Sequence, residues 1–214
     1  MQTVAFALWV WFVIEVSTSD GLCTIALNRP EKANALTGEM LGQIADAVEA
    51  ASVDLSVRAL VLTGRGKVFS AGADLEAARA GLAVDPVWER MSGAIAACPV
   101  LTIAALNGTA AGGSLGMVLA ADLRVAVPGA SLFYPVAKLG FLPQPSDVVR
   151  LTALVGPARA KMLLVAGERI GAEDAWQMGL VDRVAVDAVA EARALAAVVL
   201  DADREHVAAI KAMI

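Results

Sequence analysis

The sequence predicts one α/β domain built on buried strands. Strand-like apolar segments alternate with segments of helical periodicity along most of the chain. Two loops rich in small residues each follow a strand-like segment, which indicates places where the backbone approaches another group closely. At 214 residues the chain is long enough to bury a sizeable core, and no linker or short-period repeat divides it.

The first half of the chain is predicted to form a hairpin followed by alternating helices and strands. Two β-type runs flank a turn-rich segment, which predicts the hairpin. Thr37 opens a helix in which Leu41, Ile44 and Val48 recur at helical spacing. The next helix stops before Pro99. The predicted elements are strands 13–16 and 22–27, helix 37–53, strand 59–63, helix 87–97 and strand 101–106.

The second half of the chain is predicted to be mostly helical. A helix of small residues is predicted at the end of the second small-residue loop, and a strand comes directly after this helix. Further stretches with helical periodicity complete the chain. The predicted elements are helix 113–121, strand 123–127 and helical stretches 147–155, 158–166, 172–178 and 186–200.

The composition excludes some classes of partner. The formal net charge is −5, so a nucleic-acid partner is not expected. Hydrophobic residues make up 58% of the chain and charged residues 18%, which indicates elements buried on several sides or apolar surface covered by partner subunits. Because the net charge is negative, an anionic substrate would need lysine or arginine side chains placed near it.

The cysteines, the histidine and the first residues argue against disulfide, metal and membrane roles. Cys23 and Cys98 form no CxxC pattern, so we expect buried, reduced thiols. His206 is the single histidine and lies in a helix-like stretch, so no metal site is expected. Residues 4–14 are almost wholly apolar and alternate like a strand in part, but the run is too short to span a bilayer. Because this run also lacks the basic start of a signal peptide, we expect a cytoplasmic protein without membrane association.

The sequence lacks two nucleotide-binding motifs in complete form. Gly64 and Gly66 begin a dinucleotide-binding pattern, but its third glycine would fall at Phe69 and no helix opens there. The chain contains no GxxxxGK[ST] sequence, so a phosphate-binding P-loop is excluded.

The two small-residue loops carry the strongest functional information. The first spans residues 67–75 (KVFSAGADL), and the second spans residues 107–116 (NGTAAGGSLG). Two convergent backbone N–H groups can hold the negative oxygen of an enolate or a tetrahedral intermediate. Loops of small residues allow such an approach, because no side chain blocks the backbone.

Together with other segments, these loops resemble the crotonase superfamily, the enoyl-CoA hydratase/isomerase family. Residues 27–36 (LNRPEKANAL) resemble its first CoA-contacting turn, and residues 121–126 (ADLRVA) resemble the strand after its oxyanion helix. Residues 167–175 (GERIGAEDA) and 179–184 (GLVDRV) resemble its late helical segment.

The resemblance implies a crotonase (ClpP-like) spiral of ββα units. Its core would be residues 1–185, and residues 186–214 would form a shortened C-terminal helical segment, since family members usually continue beyond the position matching Lys211. It also implies an acyl-CoA enzyme of fatty acid metabolism, a lyase or isomerase, that assembles as a homotrimer or hexamer. No cofactor is implied, because the coenzyme A thioester is itself the substrate.

Matched residue by residue, the resemblance implies a specific site. The oxyanion N–H donors fall on Ala73 and Gly113. The residues implied in binding the acyl-CoA substrate are Lys32, Ala33, Ala35, Ala71, Gly72, Asp74, Leu75, Gly112, Gly116, Pro135, Val136 and Leu139.

The acid/base residues of the family are missing. Hydratases of this family carry one glutamate three residues after the oxyanion glycine and a second after a later proline. Those positions hold Gly116 and Val136, which cannot move protons. Val136 also excludes the mechanism of isomerases that use the second glutamate. Gln144 occupies the position at which dehalogenase-type members carry an aspartate.

Three interpretations stay open. In the first, a nearby polar residue supplies another acid/base. In the second, the protein binds acyl-CoA without converting it, and in the third it is a structural partner of active relatives. The candidates for the first are Tyr134, Lys138, Gln144, Asp147 and Glu76, of which Asp147 fits a helix cap, Glu76 a charge at a helix start and Lys138 a surface charge.

Overall fold

The computed structural model describes residues 13–214, whose strands form two sheets. The larger sheet has the order β1-β2-β3-β4-β6-β9; its β1–β2 pair is antiparallel and its other pairs are parallel. The smaller sheet has the order β5-β7-β8. The strands are β1 (Ile14–Ser19), β2 (Leu22–Leu27), β3 (Ala59–Gly64), β4 (Leu101–Leu106), β5 (Ala110–Ala111), β6 (Leu123–Ala126), β7 (Ser131–Phe133), β8 (Ile170–Gly171) and β9 (Arg183–Val184).

Helices connect these strands and cover the larger sheet, which confirms the α/β prediction. Short 3-10 turns lie at Pro30–Lys32, Leu82–Val84 and Gly112–Ser114. The α-helices are α1 (Gly38–Val53), α2 (Leu75–Arg79), α3 (Val87–Ala97), α4 (Leu115–Ala120), α5 (Val136–Leu139), α6 (Pro145–Leu164), α7 (Ala172–Gln177), α8 (Ala188–Asp201) and α9 (Arg204–Lys211).

The first hairpin is tighter than the sequence predicts. Strand β1 continues to Ser19, because the turn consists of Asp20 and Gly21 alone. Both residues have positive φ, 51° and 79°, as a two-residue hairpin turn with the twist of the flanking strands requires. The segment predicted as a long turn is therefore mostly strand.

The helical stretches predicted at 147–155 and 158–166 belong to one kinked helix, α6. Gly156 interrupts it with φ 78° and ψ 164°, a conformation outside the helical region. Pro157 follows directly and lacks the N–H that an uninterrupted helix would use there. The sequence thus marks the kink correctly, while the chain continues in a second helical part.

The core fills both faces of the larger sheet. On one face, α1 buries Met40, Leu41 and Ile44 beside α3, whose Met91 and Ile95 are also fully buried. Fully burying one such side chain contributes about 1.5–3 kcal/mol. The other face is covered by α8, which buries an alanine at every fourth position. These small residues let the helix lie close to the strands.

The cysteines and the histidine lie in the environments that the sequence predicts. Cys23 and Cys98 are buried free thiols, and His206 is exposed in the first turn of α9. No group of three potential metal-binding side chains occurs within residues 13–214. None of the helices in that range is both long and apolar enough to span a membrane. The strand expected within residues 4–12 lies outside the described part of the chain.

Candidate active site

A buried amide holds the turn at residues 28–36 against the first small-residue loop. The side-chain Nδ2 of Asn34 donates to the carbonyl oxygens of Arg65, Val68 and Phe69 over 2.9–3.0 Å. Its Oδ1 accepts the backbone N–H of Arg29 over 2.9 Å. Asn34 is fully buried, so these bonds form without competition from solvent. The amide therefore fixes two segments that are distant in sequence.

An ion pair joins the same two segments on their outer side. Arg29 lies 2.9 Å from Asp74 and also donates to the carbonyl oxygen of Ala35. The other carboxylate oxygen of Asp74 accepts the N–H groups of Glu76 and Ala77 and so caps α2. The Arg29 guanidinium holds the pKa of Asp74 below its ordinary value. The turn that the resemblance assigns to CoA is thus tied to the loop that carries Ala73.

We expect Asp74→Asn to weaken the binding of a CoA ester about two- to fivefold while leaving the fold intact. Asparagine still caps α2, but the ion pair with Arg29 is lost. Isothermal titration calorimetry with an acyl-CoA at two salt concentrations measures the change. Asp187→Asn is the matched control, since Asp187 also caps a helix but has no contact with Arg29. Equal losses of affinity in the two variants would contradict the expectation.

The two small-residue loops meet backbone to backbone. Gly72 has φ +90°, and a Cβ there would lie 2.6 Å from the carbonyl oxygen of Ala111. A Cβ on Gly113 would lie 2.8 Å from the indole ring of Trp88. Neither position can carry a side chain unless its neighbours move. Close packing of the two loops therefore favours glycine at position 72, and packing against Trp88 of α3 favours glycine at position 113.

The N–H groups of Ala73 and Gly113 are left free by the local hydrogen bonding. Ala73 forms a parallel bridge with Leu36, in which Leu36 donates to Gly72 and Asp74 donates to Leu36. The N–H of Ala73 therefore points away from this bridge. Gly113 is the second residue of a 3-10 turn, so its N–H precedes the first hydrogen bond of that turn. Both residues line the same cavity.

That cavity has a volume of about 170 Å³ and mostly apolar walls. Ala73 and Gly113 lie among side chains from α3, β7, α5 and the segment before α6. An apolar cleft with a few convergent polar groups is the usual form of a small-molecule site. The lining residues are Ala71, Ala73, Leu75, Ala78, Ala83, Trp88, Ala111, Gly112, Gly113, Phe133, Tyr134, Pro135, Val136, Leu139, Phe141, Leu142 and Gln144.

The structure brings part of the implied binding set to this cavity. Gly72 and Asp74 lie in the adjoining loop, and Gly116 is buried in α4. Lys32, Ala33 and Ala35 belong to the turn tied to that loop, with the Lys32 side chain exposed. The implied residues that line the cavity are Ala71, Ala73, Leu75, Gly112, Gly113, Pro135, Val136 and Leu139.

Several aromatic and apolar wall residues were missed by the sequence reasoning. Trp88 is the clearest case, because its ring contacts the Gly113 position and its Nε1 donates to the carbonyl oxygen of Leu82. Phe133, Phe141 and Leu142 complete this wall. A buried tryptophan on a helix was the available signal, but helical periodicity alone assigns such a residue to the core.

Asp147 does not cap a helix, and this expectation from the sequence was wrong. Helix α6 begins at Pro145 and its N-cap is Gln144, so Asp147 is its third residue. The side chain is 1% exposed, and its Oδ2 accepts the hydroxyl of Tyr134 over 2.9 Å. Burial is the main cause that raises the pKa of Asp147 to about 6. Burial and the nearby Asp147 carboxylate raise the pKa of the Tyr134 hydroxyl as well.

The other acid/base candidates have simpler environments. Lys138 and Glu76 are exposed, and Glu76 lies in the first turn of α2. Gln144 lines the cavity and its Nε2 donates to the carbonyl oxygen of Ala83. Residues 112–116 also fit a Gly-x-Ser-x-Gly pattern, but Ser114 is buried and donates to the carbonyl oxygen of Ala111. With the single histidine exposed on α9, this serine has no triad.

The stability of the fold should depend on the protonation of Asp147. The folded pKa of about 6 lies above the ordinary value of 3.8, so the protonated form favours the folded state. This contribution is fully present below about pH 4 and is lost as the pH rises through about 6. Relative to Asp147→Asn, the wild type should therefore lose up to about 3 kcal/mol of unfolding free energy between about pH 4 and pH 8. Urea unfolding of both proteins across this range measures the difference, and parallel pH profiles would contradict it.

Known proteins resemble this chain along nearly its whole length. The enoyl-CoA hydratase/isomerase family model matches residues 17–214. A Mycobacterium tuberculosis (strain CDC 1551 / Oshkosh) protein named "Probable enoyl-CoA hydratase echA14" is 40% identical over 203 residues, covering 92% of this chain and 79% of the relative. The 4-chlorobenzoyl coenzyme A dehalogenase-1 of Arthrobacter sp is 36% identical over 189 residues, covering 84% of this chain and 68% of the relative.

A solved structure supports the same relationship. The enoyl-CoA hydratase/isomerase from Pseudoalteromonas atlantica T6c has a TM-score of 0.88 and 32% sequence identity, covering 94% of this chain and 82% of that chain. The crotonase fold expected from the sequence is thereby confirmed. With the family match over residues 17–214, these similarities show that the chain belongs to the enoyl-CoA hydratase/isomerase family of the crotonase superfamily.

Proposed function

We propose that this chain is an enzyme that binds an acyl-CoA thioester in the cavity and stabilises the thioester enolate. The N–H groups of Ala73 and Gly113 would donate hydrogen bonds to the thioester oxygen as negative charge develops on it. The observation that carries this proposal is the free state of both N–H groups at one cavity wall. Donors aimed at developing charge in a water-poor site give strong transition-state stabilisation, because they need no reorganisation.

The proposed substrate orientation follows from the character of the surrounding residues. The apolar walls formed by Trp88, Phe133 and Val136 suit an acyl chain. The CoA portion would lie along the turn at residues 28–36, where Lys32 offers an exposed cation to a phosphate. This chemistry needs no metal or redox cofactor, because the thioester itself stabilises the adjacent carbanion once its oxygen is bound.

The second candidate function is a catalytically silent acyl-CoA binder or a structural partner subunit. The observation in its favour is that Gly116 and Val136 occupy the positions where hydratases of the family carry glutamates. Ordinary hydration needs carboxylates that hold water and move protons. A lyase or isomerase reaction on this scaffold therefore requires another acid/base group.

Isotope exchange separates the two candidates. Pure protein is incubated in deuterated water with a panel of saturated and unsaturated acyl-CoA esters, and the esters are analysed by mass spectrometry. Deuterium gain at the α-carbon, or addition of water, would support an enzyme with a working oxyanion hole. Binding measured by calorimetry without either change would favour the silent binder. Absence of binding to every ester would contradict both the enzyme and the silent binder and would leave the structural partner subunit.

The proposal includes the assembly and location implied by the family. We propose a cytoplasmic enzyme of fatty acid metabolism that forms a homotrimer or hexamer. Exposed apolar side chains on α6, directly after it and on α7 support self-association, because they would lose contact with water in an interface. These side chains are Val149, Met162, Val165 and Trp176. Sedimentation analysis of the purified protein would test the oligomeric state.

A further inference from the structure

A buried carboxylate lies directly behind the phenol of the cavity wall. Among the cavity-lining residues described, Tyr134 alone has a titratable side chain. Its hydroxyl donates to Oδ2 of Asp147 over 2.9 Å, and the two residues are 4% and 1% exposed. The proposed enolate chemistry needs a group that removes and returns the α-proton, and neither Gly116 nor Val136 can do so.

Gly116 makes room for this carboxylate. A Cβ at position 116 would lie 3.0 Å from Oδ1 of Asp147 and 3.4 Å from its Oδ2. Within residues 13–214, Oδ1 has no hydrogen-bond partner, although its residue is almost completely buried. Buried polar atoms without partners are rare and call for a functional or structural reason. A carboxylate from α6 thus adjoins the position on α4 from which the expected glutamate is missing.

We propose that Tyr134 and Asp147 form a proton relay that generates and quenches the thioester enolate. The proposal rests on the proposed function above. Tyr134 is the catalytic residue, since it lines the cavity, and Asp147 is a positioning residue that accepts its proton.

The relay balances without any external oxidant or reductant. The α-carbon–hydrogen bond breaks, and its proton bonds to Oη of Tyr134 while the hydroxyl proton of Tyr134 moves to Oδ2 of Asp147. The electron pair of the broken bond moves into the thioester, whose oxygen is held by Ala73 and Gly113. The reverse transfer returns a proton to the α-carbon. While the enolate is held, solvent in the cavity exchanges the Tyr134 hydroxyl proton, so the reverse transfer delivers deuterium to the α-carbon in deuterated water.

The charged groups near the pair give the relay a defined pH dependence. Glu89 of α3 acts to raise the pKa of Asp147, and Arg150 of α6 acts to lower it. Both residues also hydrogen-bond to Ser146, which places them at the start of α6. Because only ionised Asp147 can accept the proton, the exchange rate should rise as the pH increases through about 6.

The test compares two isosteric variants with a surface control. Tyr134→Phe should slow α-deuterium exchange about 100-fold, and Asp147→Asn about 10- to 100-fold. Asp147→Asn should also remove the rise of the rate with pH. Asp46→Asn, which changes an exposed carboxylate paired with Arg90, should leave rate and pH profile unchanged. Calorimetry should find acyl-CoA affinity within about threefold of wild type in all three variants.

Each result of this test is decisive. A folded Tyr134→Phe protein that exchanges at the wild-type rate overturns the relay and leaves the proposed function standing. A slower Asp147→Asn protein that keeps the wild-type pH profile overturns the acceptor role of Asp147 and supports a structural one. Wild-type binding without exchange overturns the relay together with the enolate chemistry on which it rests and favours the silent binder, whereas failure of wild type to bind any acyl-CoA overturns acyl-CoA binding itself.

Discussion

Replacing Gly113 with proline is expected to slow α-proton exchange by about 100- to 1,000-fold relative to replacing it with alanine, when both changes are made in a Trp88→Ala background. Proline lacks the N–H that we assign to the oxyanion hole, whereas alanine keeps it. The background is needed because a Cβ at position 113 would lie 2.8 Å from the Trp88 ring. With that ring removed, the Cβ that both replacements add no longer meets it, and the two variants differ in the N–H of residue 113 and in the rest of the proline ring.

The measurement is deuterium incorporation at the α-carbon, read by mass spectrometry alongside acyl-CoA affinity. Trp88→Ala alone is the reference, because loss of a buried tryptophan costs about 3–5 kcal/mol of stability. Circular dichroism at a low assay temperature establishes that all three proteins are folded. Equal exchange rates for the proline and alanine variants would exclude the N–H of residue 113 as a donor.

Long, periodic elements were predictable from the sequence, and the shortest ones were not. The predicted helix 87–97 and strand 101–106 coincide with α3 and β4, because clear apolar patterns end at Pro99 and at the glycine-rich loop. Strands β5, β8 and β9 contain two residues each. Such strands have no periodicity of their own and form only because distant segments pair with them, as β5 pairs with β7.

The candidate site likewise has one part that the sequence predicts and one part that depends on tertiary contacts. Its backbone part was predictable, because glycine and alanine at 72–73 and two glycines at 112–113 indicate close approach of the backbone whatever the surroundings. Its buried carboxylate was not, since Asp147 after Pro145 matches a helix cap in a local pattern. The Asp147 carboxylate accepts a hydrogen bond from Tyr134 and lies in the space left by the absent side chain at Gly116, and both contacts are tertiary.

Restoring the family's glutamates is expected to give a stable protein with hydration activity only if Asp147 is removed. Gly116→Glu combined with Val136→Glu should destabilise the fold by about 4 kcal/mol, because the new Cβ overpacks against Asp147 and a second carboxylate is buried beside it. Adding Asp147→Gly should recover most of this loss, since it vacates the space next to position 116. Urea unfolding of the two- and three-residue variants measures the difference.

Hydration activity, like stability, should be higher in the three-residue variant than in the two-residue variant. The three-residue variant should hydrate an enoyl-CoA, because its two glutamates supply the acid and base that the wild type lacks at these positions. Gly116→Ala and Asp147→Gly alone are the controls: the first tests the steric clash without a new charge, and the second removes the original carboxylate without adding any. Equal stability of the two-residue variant with and without Asp147 would show that this carboxylate does not fill the space next to Gly116. Acceptance of both glutamates with normal acyl-CoA binding but no hydration would instead contradict the matching of Gly116 and Val136 to the family's acid/base positions.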